Sequence, residues 1–415
     1  MASASGLIPG RACHRREIEG HLIKLRVVAS ATVFLAVYPS SGVAQQFDTA
    51  TSRVVTPGVT HRRLVINSGP WRINVLEIDL HTPGLSIRGV RANDAFLGRE
   101  TVRSMSERYK GPGKVVAALN GDFFSLKTGE SENNVVIEGN LSKGEMVTDS
   151  PHDTFNNKHS QFAIDWRNHP FIDRFALDAH LLSPSGRARR VDGINFWPDS
   201  NSLVLYTSVF GSTTHGDSAG RHPLSLALRF VQQRGDTLVY RVAGKLREGG
   251  GAPLSEGGVL TAGGSRRLDL RALARRGGAL RIVYGFIPRR GRLRTLMGGW
   301  PRLIVDGKTV AEYADIVEGT FPRFSVQRHP RTAIGFSRDS STLFMVTVDG
   351  RRETDSGMSL VELSKLLLDI GVYQGMNFDG GGSTTMVVEG RVVNRPSDSD
   401  GERPVGSGLL VVIAP

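Results

Sequence analysis

The sequence predicts an α+β fold: a mixed, β-rich core sheet with packed helices and a β-rich central insertion. Three observations carry this expectation. Short apolar runs alternate with 49 glycines and 19 prolines over 415 residues, the punctuation of many short strands. The stretch Trp71-Arg72-Ile73-Asn74-Val75-Leu76-Glu77-Ile78-Asp79-Leu80 alternates apolar and polar residues with the period of a strand. Helical spacing is strong in one late segment, where Leu360, Leu363, Leu367 and Ile370 follow a Ser359-x-x-Glu362 capping box. A composition of 39% hydrophobic and 22% charged residues is that of an ordinary globular chain. The length allows two domains or one elaborate domain.

Residues 1–44 read as a secretory signal. Arg11, Arg15, Arg16, Lys24 and Arg26 precede an apolar run from Val27 to Val37, and Gly42-Val43-Ala44 forms a small-x-small cleavage pattern. The run is shorter than the roughly 20 residues that span a bilayer, and no later segment is apolar enough to do so. The expected location is therefore exported, periplasmic or extracellular. Cys13, the only cysteine, lies before this cleavage point. A processed chain would have no disulfide, thiolate metal site or cysteine nucleophile.

From residue 45 to 109 the sequence predicts a β-rich segment: the Trp71–Leu80 strand, its neighbour Leu85 to Val90, and a short helix from Glu100 to Tyr109. Residues 110–173 begin a split domain. Val115-Val116-Ala117-Ala118-Leu119 is a continuous apolar run, expected of a buried strand. Val135 to Ile137 with the Glu138-Gly139-Asn140 turn predicts a hairpin. Residues 174–294 form the basic, β-rich insertion, with strands such as Leu203 to Tyr206 and Leu280 to Tyr284 between glycine- and arginine-rich loops. Residues 295–415 complete the split domain. Thr342 to Val348 reads as a buried strand and Leu360 to Ile370 as a helix stopped at Gly371. Gly375 to Phe378 reads as a strand running into Asp379-Gly380-Gly381-Gly382-Ser383-Thr384-Thr385. Met386 to Val388 and Arg391 to Asn394 form a hairpin after that loop.

The formal net charge of +12 is concentrated in the centre. Residues 174–294 hold 20 basic and 8 acidic residues, a balance of +12, while residues 1–44 hold 5 and 2. Nearly all the central excess is arginine without interleaved aromatics. A nucleic-acid surface is one reading, but an anionic envelope polymer or membrane surface suits an exported protein better, and no nucleic-acid partner is expected. A plain solvated surface is the rival reading.

Several strand ends carry chemistry-bearing residues. Asp379 precedes a run of glycines whose backbone can approach a ligand and turn N–H groups toward an anion, and Ser383 and Thr384 add hydroxyls. Asn120 and Asp122 end another buried strand. Arg331 opens a strand and offers a forked donor for phosphate oxygens. Asp349 and Arg351 flank Gly350 at a further strand end. The polar stretch from Asn394 through Glu402 to Arg403 has an aspartate spacing that faintly suggests a calcium loop without the EF-hand layout. There is no HExxH motif or histidine cluster for zinc, and no GxSxG elbow. Each of these features also has a plain reading as a turn or a packing element.

Taken in order, ALNGDFF (Ala118 to Phe124), GGWPRLIVDGK (Gly298 to Lys308), HPRTAIGF (His329 to Phe336), VTVDGR (Val346 to Arg351), GMSLVELSKLLLDIG (Gly357 to Gly371), MNFDGGGSTTMVVEG (Met376 to Gly390) and VVNRPSDSDGERPV (Val392 to Val405) resemble the phosphodiester glycosidase (uncovering-enzyme-like) family. The sequence departs from the family pattern at Asp122, where many members carry glycine, and at Gly408-Leu409. The resemblance implies hydrolysis of a sugar-1-phosphodiester to free sugar and a phosphomonoester, on an envelope or extracellular carbohydrate. It implies a catalytic role for Asp379 first, with Asp349, Glu402 and Asp122 behind it. It implies substrate and phosphate contacts from Asn120, Arg331, Arg351, Gly380, Gly381, Gly382, Ser383, Thr384, Asn394 and Arg403. No cofactor is required by this chemistry; a structural divalent cation is carried as an alternative for the 394–403 stretch, and no metal ligand is assigned. Two rival functions are a non-catalytic exopolysaccharide-binding module and a metal-dependent phosphodiesterase.

Overall fold

The computed structural model describes residues 47–414 except 147, 150–155, 158, 184–187, 198–199, 217–221 and 277; side chains are not described at 148–149 and 156–157. The secretory-signal expectation for residues 1–44, with Cys13, lies outside the described residues. The described residues form one compact unit. Among the described residues no helix is long and apolar enough to cross a membrane.

The fold is α+β and rich in strands, with three sheets that matter here. An eight-stranded sheet runs in the spatial order Thr49–Thr56, Val59–Ile66, Trp71–Asp79, Thr342–Val348, Arg331–Phe336, Gln374–Phe378, Arg302–Val305, Lys308–Thr309. A five-stranded sheet runs Arg391–Val392, Met386–Val388, Lys114–Asn120, Ser407–Ile413, Leu85–Arg91. A thirteen-stranded sheet takes most of the chain from Val135 to Gly298.

The predicted Thr342–Val348 strand is present with those bounds, antiparallel to both Arg331–Phe336 and Trp71–Asp79. The Leu360–Asp369 helix has the reciprocal capping box: the Glu362 N–H donates to Ser359 Oγ, and the Ser359 N–H donates to the Glu362 carboxylate. Gly371 follows at φ 98°, the left-handed conformation expected past a helix end.

Two features of the central region go beyond the sequence expectation. Its strands are hydrogen-bonded into the same sheet as Asn140–Glu145 and Leu293–Gly298. It also holds a helix, Arg266–Arg276, in which only Leu270 and Leu273 are buried. That helix carries too narrow an apolar stripe, among too many arginines, to stand out by periodicity.

One core cluster draws on all three sheets. Leu76, Ile334 and Phe378 come from the first, Leu119, Met386 and Leu409 from the second, and Phe162, Ile164 and Met297 from the third. All are buried, so the ends of their strands are held against one another by packing.

Candidate active site

The glycine loop is the crossing between two sheets. Gln374–Phe378 belongs to the eight-stranded sheet and Met386–Val388 to the five-stranded one, so Asp379 to Thr385 spans their seam. Asn120 fastens that seam. Its Nδ2 donates to the Asp379 carbonyl at 2.7 Å, and its Oδ1 accepts from the Thr332 hydroxyl at 2.9 Å and the Thr385 N–H at 3.0 Å. Asn394 braces the far end, accepting from the Met386 N–H at 2.8 Å and donating to the Thr384 carbonyl at 2.9 Å. Both amides thus hold the loop in place, and Thr384 is buried within it.

Asp379 meets Asp122 at this seam. The Asp379 N–H donates to the Gly121 carbonyl at 3.1 Å, and Asp122 acts on the Asp379 carboxyl as a like charge. Burial pushes Asp379 up to about 7; Asp122 adds to the rise, while the Ser383 hydroxyl and the Arg403 guanidinium oppose it. Ser383 Oγ lies near that carboxylate without a well-formed hydrogen bond to it. Asp122 is 1% exposed and is also pushed up to about 7, chiefly by burial. Its oxygens accept from the Asn133 N–H at 3.0 Å and from Asn133 Nδ2 at 2.7 Å. Gly298, ending a strand of the third sheet, leaves room for this pair, because a Cβ there would lie 2.3 Å from Asp122 Oδ1.

Arginines cover the loop. A Cβ on Gly381 would lie 2.8 Å from Arg351 Nη2, and one on Gly382 would lie 2.2 Å from Arg403 Nη2. Arg403 forms a two-point pair with Asp398, at 2.7 and 3.0 Å. Arg351 is exposed and has no ion pair among the described residues. Within the loop, the N–H groups of Gly381, Ser383 and Thr384 donate to the carbonyls of Pro330, Gly380 and Gly381. Much of the expected cradle is therefore engaged with backbone, and side-chain guanidiniums supply the positive charge above it.

Three candidate residues have protein partners that account for them. Arg331 is 1% exposed; its Nε donates to the Met358 carbonyl, and its Nη2 to the carbonyls of Phe324 and Gln327. Burial lowers it to about 9, and Arg351 adds to the lowering. Asp349 accepts from the Arg395 N–H at 2.9 Å and is raised by burial to about 6. Glu402 accepts from the Arg103 N–H at 2.9 Å, at the first turn of the Val102–Glu107 helix, where a carboxylate satisfies free N–H groups. Among the described residues no group of three or more His, Cys, Asp or Glu is arranged to hold a metal ion.

Two strand residues in this neighbourhood escaped the sequence reading. Lys143 and Glu145 are 4% and 1% exposed. Both influence or are influenced by Asp122. Their i, i+2 spacing was the available signal, since it puts two charges on one face of a strand. An aromatic cluster begins at Phe123, next to Asp122 in the chain: Phe123 meets Trp300 edge-on, and Trp300 stacks on His159 and on Phe324 with ring centroids 5.0 and 4.9 Å apart.

Comparison with known proteins agrees with the resemblance. The family model described as phosphodiester glycosidase matches residues 233–412. The SPbeta prophage-derived protein YomE of Bacillus subtilis is 42% identical over 84 residues, which is 20% of this chain and 13% of that protein. The N-acetylglucosamine-1-phosphodiester alpha-N-acetylglucosaminidase of Bos taurus is 40% identical over 80 residues, 19% of this chain and 15% of the relative. The chain therefore matches only a small part of the length of these relatives. A Synechocystis protein structure aligns with a TM-score of 0.70 at 19% identity, over 88% of this chain and 64% of that one. A Burkholderia pseudomallei protein described as exported aligns with a TM-score of 0.64 at 24% identity, over 83% and 74%. These two show the fold. Over residues 233–412, which hold the glycine loop, Asp379 and the covering arginines, this chain is similar to the phosphodiester glycosidase family.

Proposed function

We propose that the protein hydrolyses the glycosidic C–O bond of a sugar-1-phosphodiester, releasing free sugar and a phosphomonoester. The observation that carries this reading is the Asp379–Asp122 pair at a seam covered by Arg351 and Arg403. Phosphate is already stable as an anion, so its departure needs positive charge more than a strong general acid. Arg351, without a carboxylate partner among the described residues, is the donor available for phosphate, and Arg403 stands beside it on the loop. Asp379 is the acting carboxylate, because both oxygens of Asp122 already accept from Asn133. Asp379, raised to about 7, is partly ionised near neutrality. In its ionised form it takes a proton from water as the water oxygen bonds to C1. The C1–O bond breaks and its electron pair leaves on the phosphate oxygen.

The names of the mammalian relatives make an N-acetylglucosamine-1-phosphodiester the first substrate to test. The basic and apolar N-terminal stretch supports export, and an envelope carbohydrate is the matching target. The test is incubation with a panel of sugar-1-phosphodiesters in water enriched in oxygen-18. We expect free sugar carrying the label and an unlabelled phosphomonoester. Label in the phosphate would mean P–O cleavage and would reject the proposal, as would absence of product across the panel.

A further inference from the structure

The Asn140–Glu145 strand turns Lys143 and Glu145 to the same side, by the two-residue repeat of a strand. The lysine is fully engaged. Its ammonium donates to the Ser131 carbonyl at 2.6 Å and the Glu132 carbonyl at 3.3 Å, and pairs with Glu130 at 3.3 Å. The glutamate is not. Its backbone N–H is bonded to Asn134 Oδ1 at 2.7 Å, but neither carboxyl oxygen has a hydrogen-bond partner, and the residue is 1% exposed. A buried polar group left without a partner works against folding, so one that persists calls for an explanation.

Its surroundings indicate what it faces. Asp122, Glu130 and Glu132 all act on Glu145 as like charges, with Lys143 opposing them. Asp122 is the carboxylate that Asp379 also feels. Adjacent residues hold the two places together: Asn133 donates to Asp122, and Asn134 accepts from the Glu145 N–H. Guanidiniums lie over the glycine loop, and carboxyls act on Glu145. A phosphate is attracted to the first and repelled by the second. Burial also pushes Glu145 up to about 8. At neutral pH it is then mainly the neutral acid, which can donate one hydrogen bond and accept others. That suits an uncharged, hydroxyl-bearing ring.

We propose that Glu145 is a substrate-contacting residue that hydrogen-bonds the hydroxyls of the sugar ring, so that substrate lies with its sugar toward Glu145 and its phosphate toward Arg351 and Arg403. This rests on the sugar-1-phosphodiester reading for the identity of the whole substrate; the sugar-binding role has its own test.

The experiment uses the full chain and its E145A, E145Q and R351A variants. Thermal melting is recorded without ligand. Binding is then measured separately for inorganic phosphate and for the methyl α-glycosides of glucose, galactose, mannose and N-acetylglucosamine. E145A should raise the ligand-free melting temperature, by roughly 2 °C, because the orphaned carboxyl is gone. It should weaken glycoside binding about tenfold and leave phosphate binding unchanged. E145Q, an isostere of the neutral acid, should retain glycoside binding, and R351A should lose phosphate alone. A lower melting temperature in E145A would make Glu145 a structural partner of Lys143 and overturn the proposal. So would a wild type that binds none of the four glycosides, or an E145A that binds them undiminished. A wild type that binds glycosides but cleaves no phosphodiester would reject the proposed reaction and leave this assignment standing.

Discussion

The backbone N–H of Asp379 donates to the carbonyl of Gly121 at 3.1 Å, which ties the end of one sheet to the end of another one residue before Asp122. Two acidic residues 257 positions apart in sequence, 379 minus 122, are thereby brought near enough for buried Asp122 to act on half-buried Asp379. Their roles divide by partner. Asp122 is held at both oxygens by Asn133, whereas Asp379 has the loosely placed Ser383 hydroxyl, the Gly380 N–H and the Arg403 charge acting on it. D379N should therefore lower kcat/KM for a sugar-1-phosphodiester by about 10²- to 10⁴-fold without lowering the melting temperature. D122N should destabilise the fold by about 1–3 kcal/mol, because its amide would oppose one of the two Asn133 donors. Steady-state kinetics and thermal melts separate the two. D379N turnover equal to wild type would remove Asp379 from the chemistry.

The same carboxyls set a pH dependence of stability. Asp122 and Asp379 are raised from about 3.8 to about 7, and Glu145 from about 4.5 to about 8. Between the ordinary and raised values the folded state holds more protons than the unfolded one, so stability falls as pH rises through that interval. His159 and His215 act in the opposite sense: burial lowers both to about 4, so stability rises with pH from about 4 to 6.5. The opposing effects overlap below pH 6.5, and the carboxyls stand alone above it. Urea unfolding should show stability declining from about pH 6.5 to 8, with a shallower decline in D379N. A stability that climbs over that interval would contradict the raised carboxyls.

The backbone of this site was more legible in the sequence than its chemistry. Strand ends at Asn120 and Phe378, and the helix begun at Ser359, follow from apolar runs and a capping pair that local physics reads directly. The partners of polar side chains are a long-range matter. Arg331 has the residue type and strand position of a phosphate ligand, yet its guanidinium binds three main-chain carbonyls. Asn120 and Asn394 hold the glycine loop by the same kind of bond. Glu402 satisfies a helix terminus, and nothing in its local sequence distinguishes that from a catalytic carboxylate. Glu145 was hidden because a hairpin pattern says which face a residue occupies, not whether the folded chain will bury that face.

The glycine loop is expected to reject side chains for two separate reasons. Gly381 sits at φ 61°, where an alanine loses about 1–2 kcal/mol, and its Cβ would also crowd Arg351. Gly382 has Arg403 and Asp398 atoms 2.2 to 2.3 Å from the position of a Cβ, so G382A must move that ion pair. We expect G382A to fold, to lose about 1–3 kcal/mol of stability, and to raise KM more than it lowers kcat. Crystallography of G382A with unchanged Arg403, together with wild-type KM, would show that the arginine takes no part in substrate binding.

Arg331 and Arg351 offer the sharpest contrast between holding the site and working in it. Arg351 is exposed and over the loop, so R351A should leave the melting temperature near wild type, within about 0.5 kcal/mol. Its KM for a sugar-1-phosphodiester should rise about 10- to 100-fold, the value of a lost charge-assisted hydrogen bond. Arg331 is buried, and R331A would strand the carbonyls of Met358, Phe324 and Gln327. That should destabilise by about 3 kcal/mol or more, and R331K, with a single ammonium in place of the planar fork, should recover only part of it. Kinetics and melting of all three variants decide the matter. A stable R331A with raised KM, beside an R351A with wild-type KM, would return the phosphate to Arg331 and place the substrate on the other side of the loop.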